Sequence, residues 1–337
     1  MNQMLEGKEL ILATKAYAKD DTRKSWFHTL STLVLLLAAM LGAFSPIHLG
    51  LRILFSLLTG LLLVRMFVIY HDFAHHTILK GSKIANIIFT FFGLYILNPK
   101  SIWKRSHNYH HKHNSKLSTS NIGSFPVITR QKYLSISPKE QKLYLFSRHP
   151  FTIAAGYLFV FIWGMCIRSL SHNPSKHWDS ALALTLHVGI GLTLILTLGW
   201  TAFLLGFFIP AVISNAIGAY LFYAQHNFPG VTFQDKEGWT YIGAALQSSS
   251  YMKMNPIMRW FTGNIGYHHI HHTNARIPFY RLPEVYHAFP EFQQAKITTL
   301  NPKDIYKCLQ LKVWDPQLNR MLTLDEIHEN QPVTNMA

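Results

Sequence analysis

Long apolar runs alternate along the chain with short basic or turn-forming links, and the run lengths predict the elements. Phe27 to Ser45 carries no charge, and Gly50 to Tyr70 is a second apolar run with Arg52 and Arg65 near its ends. Each is about the ~20 residues that a helix needs to cross a bilayer. The two arginines are expected to snorkel towards the interface. The link between the runs, SPIHLG, is short and uncharged. Lys8, Lys15, Lys19, Arg23 and Lys24 precede the first run, so the positive-inside rule places the N-terminal side in the cytoplasm and the link outside. The first 24 residues are polar and basic, which is not the pattern of a cleavable signal peptide.

Ile84 to Leu97 is apolar but only 14 residues long, which predicts an interfacial or re-entrant segment. Leu117 to Pro150 is a polar, basic linker. Phe151 to Leu170 is apolar again, with Arg168 near its end and His172, Lys176 and His177 after it. Ala181 to Tyr223 has no charged residue and is too long for one crossing, so it reads as two, Ala181 to Gly199 and Leu204 to Gln225, joined near Trp200. The basic loop at Lys176 belongs in the cytoplasm, so Phe151 to Leu170 is expected not to cross fully. The fold predicted is an all-α integral membrane protein. Four transmembrane helices form two hairpins, with interfacial helices and a cytoplasmic histidine-rich cap. Residues 1–25 are expected as a cytoplasmic N-terminal segment, 26–287 as the membrane-embedded domain, and 288–337 as a cytoplasmic tail.

Composition agrees. Charged residues make up 14% of the chain against roughly 25% in soluble domains, and hydrophobic residues 49%. The net charge of +15 accompanies apolar runs, so it points to anionic headgroups and acidic protein partners rather than to nucleic acid. Two cysteines, Cys166 and Cys308, make neither a disulfide framework nor a thiolate metal site.

Histidine carries the chemistry. Eleven of the twenty histidines fall in three short stretches, HDFAHHT, HNYHHKHN and GYHHIHHTN. His71 and His75 are four apart. His107, His110 and His111 follow H-x-x-H-H, as do His268, His271 and His272. Residues three and four apart share a helix face, so each stretch is expected to aim its imidazoles at one point. Neutral imidazole suits iron, zinc, copper or nickel. Eight rings exceed the coordination of one ion, which predicts two metals. The site has only Asp72 as an acid among the rings. It leaves the metal charge largely uncompensated and open to oxygen-derived ligands, which favours two irons over zinc. Asp72 is expected to accept an imidazole N–H and fix its ring. His76, His113 and His269 lie beside the periodic positions and are expected outside the ligand set.

These stretches, in this order around two helical hairpins, resemble the membrane fatty acid desaturase family from Trp26 to about His287. FYAQHNFPG followed by SSSYMKMNPIMRWFTGNIGYHHIHHTNARIPFY is similar to the bacterial and plastid acyl-lipid desaturases of the Δ12/omega-6 type. The resemblance implies two iron ions, O2 as cosubstrate and an acyl lipid substrate. It also implies two electrons from a separate ferredoxin-like donor, and a cis double bond as product. It implies a bacterial inner membrane with the site on the cytoplasmic side. A further family histidine at the end of the fourth crossing matches His226, which joins His71, His75, His107, His110, His111, His268, His271 and His272 as a ligand. The acyl-CoA branch has Asn four residues before that position, where Phe222 stands here, and Gln225 or Asn264 is the candidate to support the ligands instead. Two other functions share the histidine pattern. One is oxygen insertion, by a lipid or alkane hydroxylase or a carotenoid ketolase. The other is a membrane metal-binding or transport protein. The basic run Lys100, Lys104, Arg105, Lys112 and Lys116 is either a headgroup-facing surface or the docking site of an acidic carrier.

Overall fold

A computed structural model of the chain describes residues 5–117, 119 and 123–329. The expected segments at 1–25, 117–150 and 288–337 therefore lie partly outside the described residues. The fold is mainly helical. Helix α1, Thr22–Phe44, starts where the Asp21 carboxylate accepts the backbone N–H groups of Arg23 and Lys24. Helix α2, Leu49–Ala74, runs back along it. The short amphipathic α3, Lys83–Tyr95, and the polar α4, Lys100–His113, follow. A π-helical stretch, α5, Tyr157–Ile167, comes after the linker. Helix α6, Trp178–Phe203, leads through a π-turn at Leu204–Phe208 into α7, Ile209–Ala224. Helix α8, His268–Thr273, carries the third histidine stretch.

Three helical stretches, Thr22–Phe44, Leu49–Ala74 and Trp178–Ala224, are long and apolar enough to cross a membrane. Their surfaces are inverted relative to a soluble bundle. Ser25, Thr29 and Thr32 are buried on α1 while Phe27, Val34 and Leu41 are exposed. On α6, Leu196 is 83% exposed. Apolar area of this extent needs a hydrocarbon neighbour.

The third stretch is not straight. Gly199 takes φ 80, ψ 173, a left-handed conformation that costs glycine least. His187 and Phe207, twenty residues apart, have ring centroids only 4.6 Å apart, whereas a straight helix would separate them by about 30 Å. The chain therefore reverses at Gly199, beside the expected turn at Trp200, and α6 and α7 form a second hairpin. A Cβ on Gly206 would run into the Phe44 ring, so the tips of the two hairpins adjoin. The opposite end is tied together by Asp179, which accepts the Ser101 N–H at 2.9 Å and so caps α4 from another element.

Arg65 departs from expectation. It does not snorkel but is 3% exposed, stacked over Trp260 at 4.0 Å. Its Nε donates to Thr32 Oγ1 at 3.1 Å, and its terminal nitrogens meet the Trp260 carbonyl and His28 Nδ1. The reason is the short helix Pro256–Phe261, which packs over this part of α2 and supplies partners that local sequence does not show. The described residues beyond 288 are built into the same core. Strand β1, Tyr251–Lys253, pairs in parallel with β2, Ile297–Thr299, and β3, Val313–Asp315, pairs antiparallel with β4, Arg320–Leu322. Phe292 and Trp314 are fully buried against this core.

Candidate metal centre

The three histidine stretches and His226 converge at the end of the bundle opposite the hairpin tips. His71 is in the last turn of α2 and His75 caps it. His107, His110 and His111 lie on α4, and His268, His271 and His272 on α8. His226 follows the end of α7. Glycine at 266 lets the chain enter α8 tightly: a Cβ there would sit 2.3 Å from the Met252 carbonyl oxygen.

The nine rings form two groups. His71, His75, His107, His111 and His271 make one, and His110, His226, His268 and His272 the other, with the ligand atoms of each group within 4.8 Å of one another. The expectation that each stretch aims at one point is corrected here. In α4 and α8 the residues four apart, His107 with His111 and His268 with His272, share a group, while His110 and His271 cross to the other. Four residues turn a helix by about 400°, close to a full circle, whereas neighbours diverge by about 100°. Two adjacent histidines on one helix therefore face two different groups.

The nitrogens suit a cation better than they suit one another. His71 Nε2 is 2.8 Å from His107 Nε2, His107 Nε2 is 3.1 Å from His111 Nε2, and His111 Nε2 is 3.0 Å from His271 Nε2. In the other group His226 Nε2 lies 3.0 Å from His110 Nε2 and 2.9 Å from His268 Nε2, which is 3.1 Å from His272 Nε2. A neutral ring nitrogen carries either a hydrogen or a lone pair, so the three contacts along a run of four such nitrogens cannot all be ordinary hydrogen bonds. Ligands about 2.1 Å from a shared ion at right to tetrahedral angles stand roughly 3.0–3.4 Å apart, and the contacts of 2.8–3.1 Å lie at the short end of that range.

Protonation fits as well. Burial, reinforced by neighbouring imidazoles, holds His107, His110, His111, His268, His271 and His272 well below the usual histidine range. Burial likewise pushes His226 down to about 4, against a carbonyl bond that raises it. The rings are therefore neutral, the form in which imidazole ligates.

Two ligand rings have their far nitrogen fixed. Asp72, 1% exposed, has Oδ1 3.1 Å from His71 Nδ1, and its Oδ2 accepts the Phe279 N–H at 2.7 Å. His226 Nδ1 donates to the Ser248 carbonyl at 2.9 Å. Each bond leaves the Nε2 lone pair facing the cluster. Gln225 lines a cavity with His71 and His268 and donates to the Ile265 carbonyl at 2.9 Å. Asn264 is in a left-handed turn at φ 58, before α8 rather than within it, and donates to the Phe279 carbonyl at 3.0 Å. The three neighbouring histidines point elsewhere. His76 is exposed, His113 Nδ1 donates to the Tyr109 carbonyl at 2.9 Å, and His269 Nε2 donates to the Phe292 carbonyl at 3.0 Å. The Ser248 carbonyl and the Phe279 N–H are backbone groups, and no sequence signal marks them.

An apolar cavity abuts both groups, with His71 and His107 from one and His268 from the other in its wall beside Leu63, Phe67 and Leu221. A second, more open cavity runs along α5 past Phe159 and Met165. His107, Phe161 and Phe222 line both. Trp103 stacks on His107 with centroids 4.4 Å apart and lines the outer cavity. Trp260 holds Arg65 and Tyr267 stacks on Tyr251, so neither of these lines a cavity wall named here.

Comparison with known proteins agrees with this geometry. A family model described as "Fatty acid desaturase" matches residues 48–301. A "Fatty acid desaturase" of Bacillus subtilis (strain 168) is 29% identical over 311 residues, 91% of this chain and 88% of the relative. An "sn-1 oleoyl-lipid 12-desaturase" of Anabaena variabilis is 25% identical, over 86% of this chain and 83% of its own. An "sn-1 acyl-lipid omega-3 desaturase (ferredoxin)" of Nostoc sp. (strain 36) is 26% identical, over 68% of this chain and 64% of its own.

Proposed function

The chain belongs to the fatty acid desaturase family, an oxidoreductase family, and from that premise we propose that it places a cis double bond in the acyl chain of a membrane lipid. The observation that carries this reading is the apolar cavity walled by histidines of both groups. An alkyl chain lying in it passes both centres. The outer cavity beside α5 gives that chain a lateral way in, with Phe222 and Phe161 at the junction.

Two irons, held by His71, His75, His107, His111 and His271 and by His110, His226, His268 and His272, supply O2 activation when bound. The overall reaction is –CH2–CH2– + O2 + 2 e⁻ + 2 H⁺ → –CH=CH– + 2 H2O, so two electrons come from outside. A relative's name specifies ferredoxin, and an acidic one-electron carrier of that kind suits a chain with a net charge of +15. Asp72 and the Ser248 carbonyl keep their rings in the tautomer that leaves Nε2 free. The apolar walls keep water from the reacting methylenes. Oxygen insertion would use the same centres, but the named relatives are desaturases. A transport role is disfavoured because His71, His75 and His226 sit at the ends of the long apolar helices rather than in their middles.

Expression in a host without polyunsaturated lipids tests the reading by fatty-acid methyl ester profiling with double-bond mapping. New cis double bonds are expected, and hydroxylated or oxidised chains in their place would overturn it.

The two hairpins make four crossings in this proposal, with both termini, the Lys176 loop and the histidine end in the cytoplasm and the Pro46 and Trp200 turns outside. Contacts between the Lys176 loop and α4 support it: His177 Nδ1 is 2.9 Å from Ser101 Oγ, at the start of the histidine helix. A membrane-impermeant thiol reagent on intact cells should label a Thr201→Cys variant and spare Ser175→Cys. The reverse pattern would refute this topology.

A further inference from the structure

The histidine shell reaches solvent at one edge. Of the nine rings, His75 is half-buried and the other eight are buried. The next residue, His76, turns outward at φ 58 and is exposed. Lys104 Nζ stands 3.4 Å from its Nε2, and Lys80 and Lys100 are close enough to act electrostatically on the same ring. The cations come from separate places, Lys80 from the loop after α2 and Lys100 and Lys104 from one face of α4, one turn apart. All three are exposed, and among the described residues none is ion-paired. The neighbouring acids are occupied: Asp20 accepts from the Leu79 N–H, Ser25 and Tyr280, and Asp179 accepts from Ser101.

We propose that the face formed by Lys80, Lys100 and Lys104 around His76 is the docking site of the acidic one-electron carrier, and that electrons arrive first at the five-histidine centre through His76 and His75. This rests on the desaturase reading above and adds the place and order of electron delivery. The sequence alone put Lys112 and Lys116 in the same surface, but Lys116 lies over the Trp239 ring, 5.0 Å from its centroid, away from His76. The four-histidine group has every ring buried, whereas the five-histidine group includes the half-buried His75 next to His76. The lysines surround the point where a ligand-bearing segment meets solvent. An electron carrier requires that coincidence and a lipid headgroup does not. Complementary charge of this kind acts chiefly on association rate and is screened by salt.

The test uses full-length protein in nanodiscs of neutral phosphatidylcholine, driven by an acidic [2Fe–2S] ferredoxin and its reductase. A Lys80→Glu/Lys104→Glu variant should raise the KM for ferredoxin by about tenfold or more. Its kcat at saturating ferredoxin and its iron content should stay at wild-type values. Salt should raise the wild-type KM and leave that of the variant nearly unchanged. An unaltered KM would overturn the docking site. So would a defect seen only in nanodiscs containing anionic lipid, which would assign the lysines to headgroups. Absence of ferredoxin-driven turnover in the wild type would instead strike the desaturase reading itself.

Discussion

His271→Ala is expected to abolish double-bond formation, a loss of more than about 100-fold, while His113→Ala keeps most of it. The two histidines belong to different stretches of similar composition, and geometry separates them. His271 Nε2 is 3.0 Å from His111 Nε2 inside the five-histidine group, whereas His113 Nδ1 is spent on the Tyr109 carbonyl. Removing a group that only orients a ligand costs about 10–100-fold in metal affinity or activity, and removing the ligand itself costs more. His269→Ala is the control for burial. His269 is fully buried like the ligands, yet its Nε2 donates to the Phe292 carbonyl. That variant should lose stability and retain iron. The measurements are product yield by methyl ester analysis and iron content of the purified variants. Equal loss of product at His271 and His113, or loss of iron at His269 as complete as at His271, would remove the basis for the ligand assignment.

Asp72→Asn should lower activity or resistance to a chelator by about 10–100-fold without removing a ligand. Asp72 spans two elements that meet at the centre. One oxygen faces His71 Nδ1 at 3.1 Å and the other accepts the Phe279 N–H at 2.7 Å, next to the turn that follows α8. Asparagine keeps the shape but replaces one acceptor with a donor, so one of these two N–H groups loses its partner inside a buried site. Iron release to a chelator, followed alongside turnover, reads the effect. Wild-type retention and turnover in the variant would show that Asp72 only finishes its helix.

Some of this was legible in the sequence because its cause is local. The apolar runs ending at Ser45 and beginning at Gly50 became α1 and α2 within a few residues, since run length and the intervening SPIHLG turn both act through near neighbours. The reversal at Trp200 was placed one residue from Gly199, although nothing charged marks it. The histidine spacing picks out eight of the nine rings that converge and the family resemblance supplies His226, while His76, His113 and His269 fall off the periodic positions.

What escaped the sequence depends on distant parts of the chain. The division of the rings into groups of five and four follows from helical angle, but only after α4 and α8 are set side by side. Arg65 reads as an interfacial cation until the short helix bearing Trp260 covers it. The segment after 288 reads as a tail, yet Ile297–Thr299 completes a strand pair with Tyr251–Lys253. The cavity along Tyr157–Ile167 owes its wall to a π-helix, which no periodicity in that apolar stretch announces.

Two histidine groups, each able to hold one ion, fix the number of metal ions expected per chain. Elemental analysis of the full-length protein, purified from iron-supplied cells and referred to protein by amino-acid analysis, should give two irons per chain, one for each histidine group. One metal of any kind per chain, or none, would contradict the two-centre reading and with it the proposed chemistry.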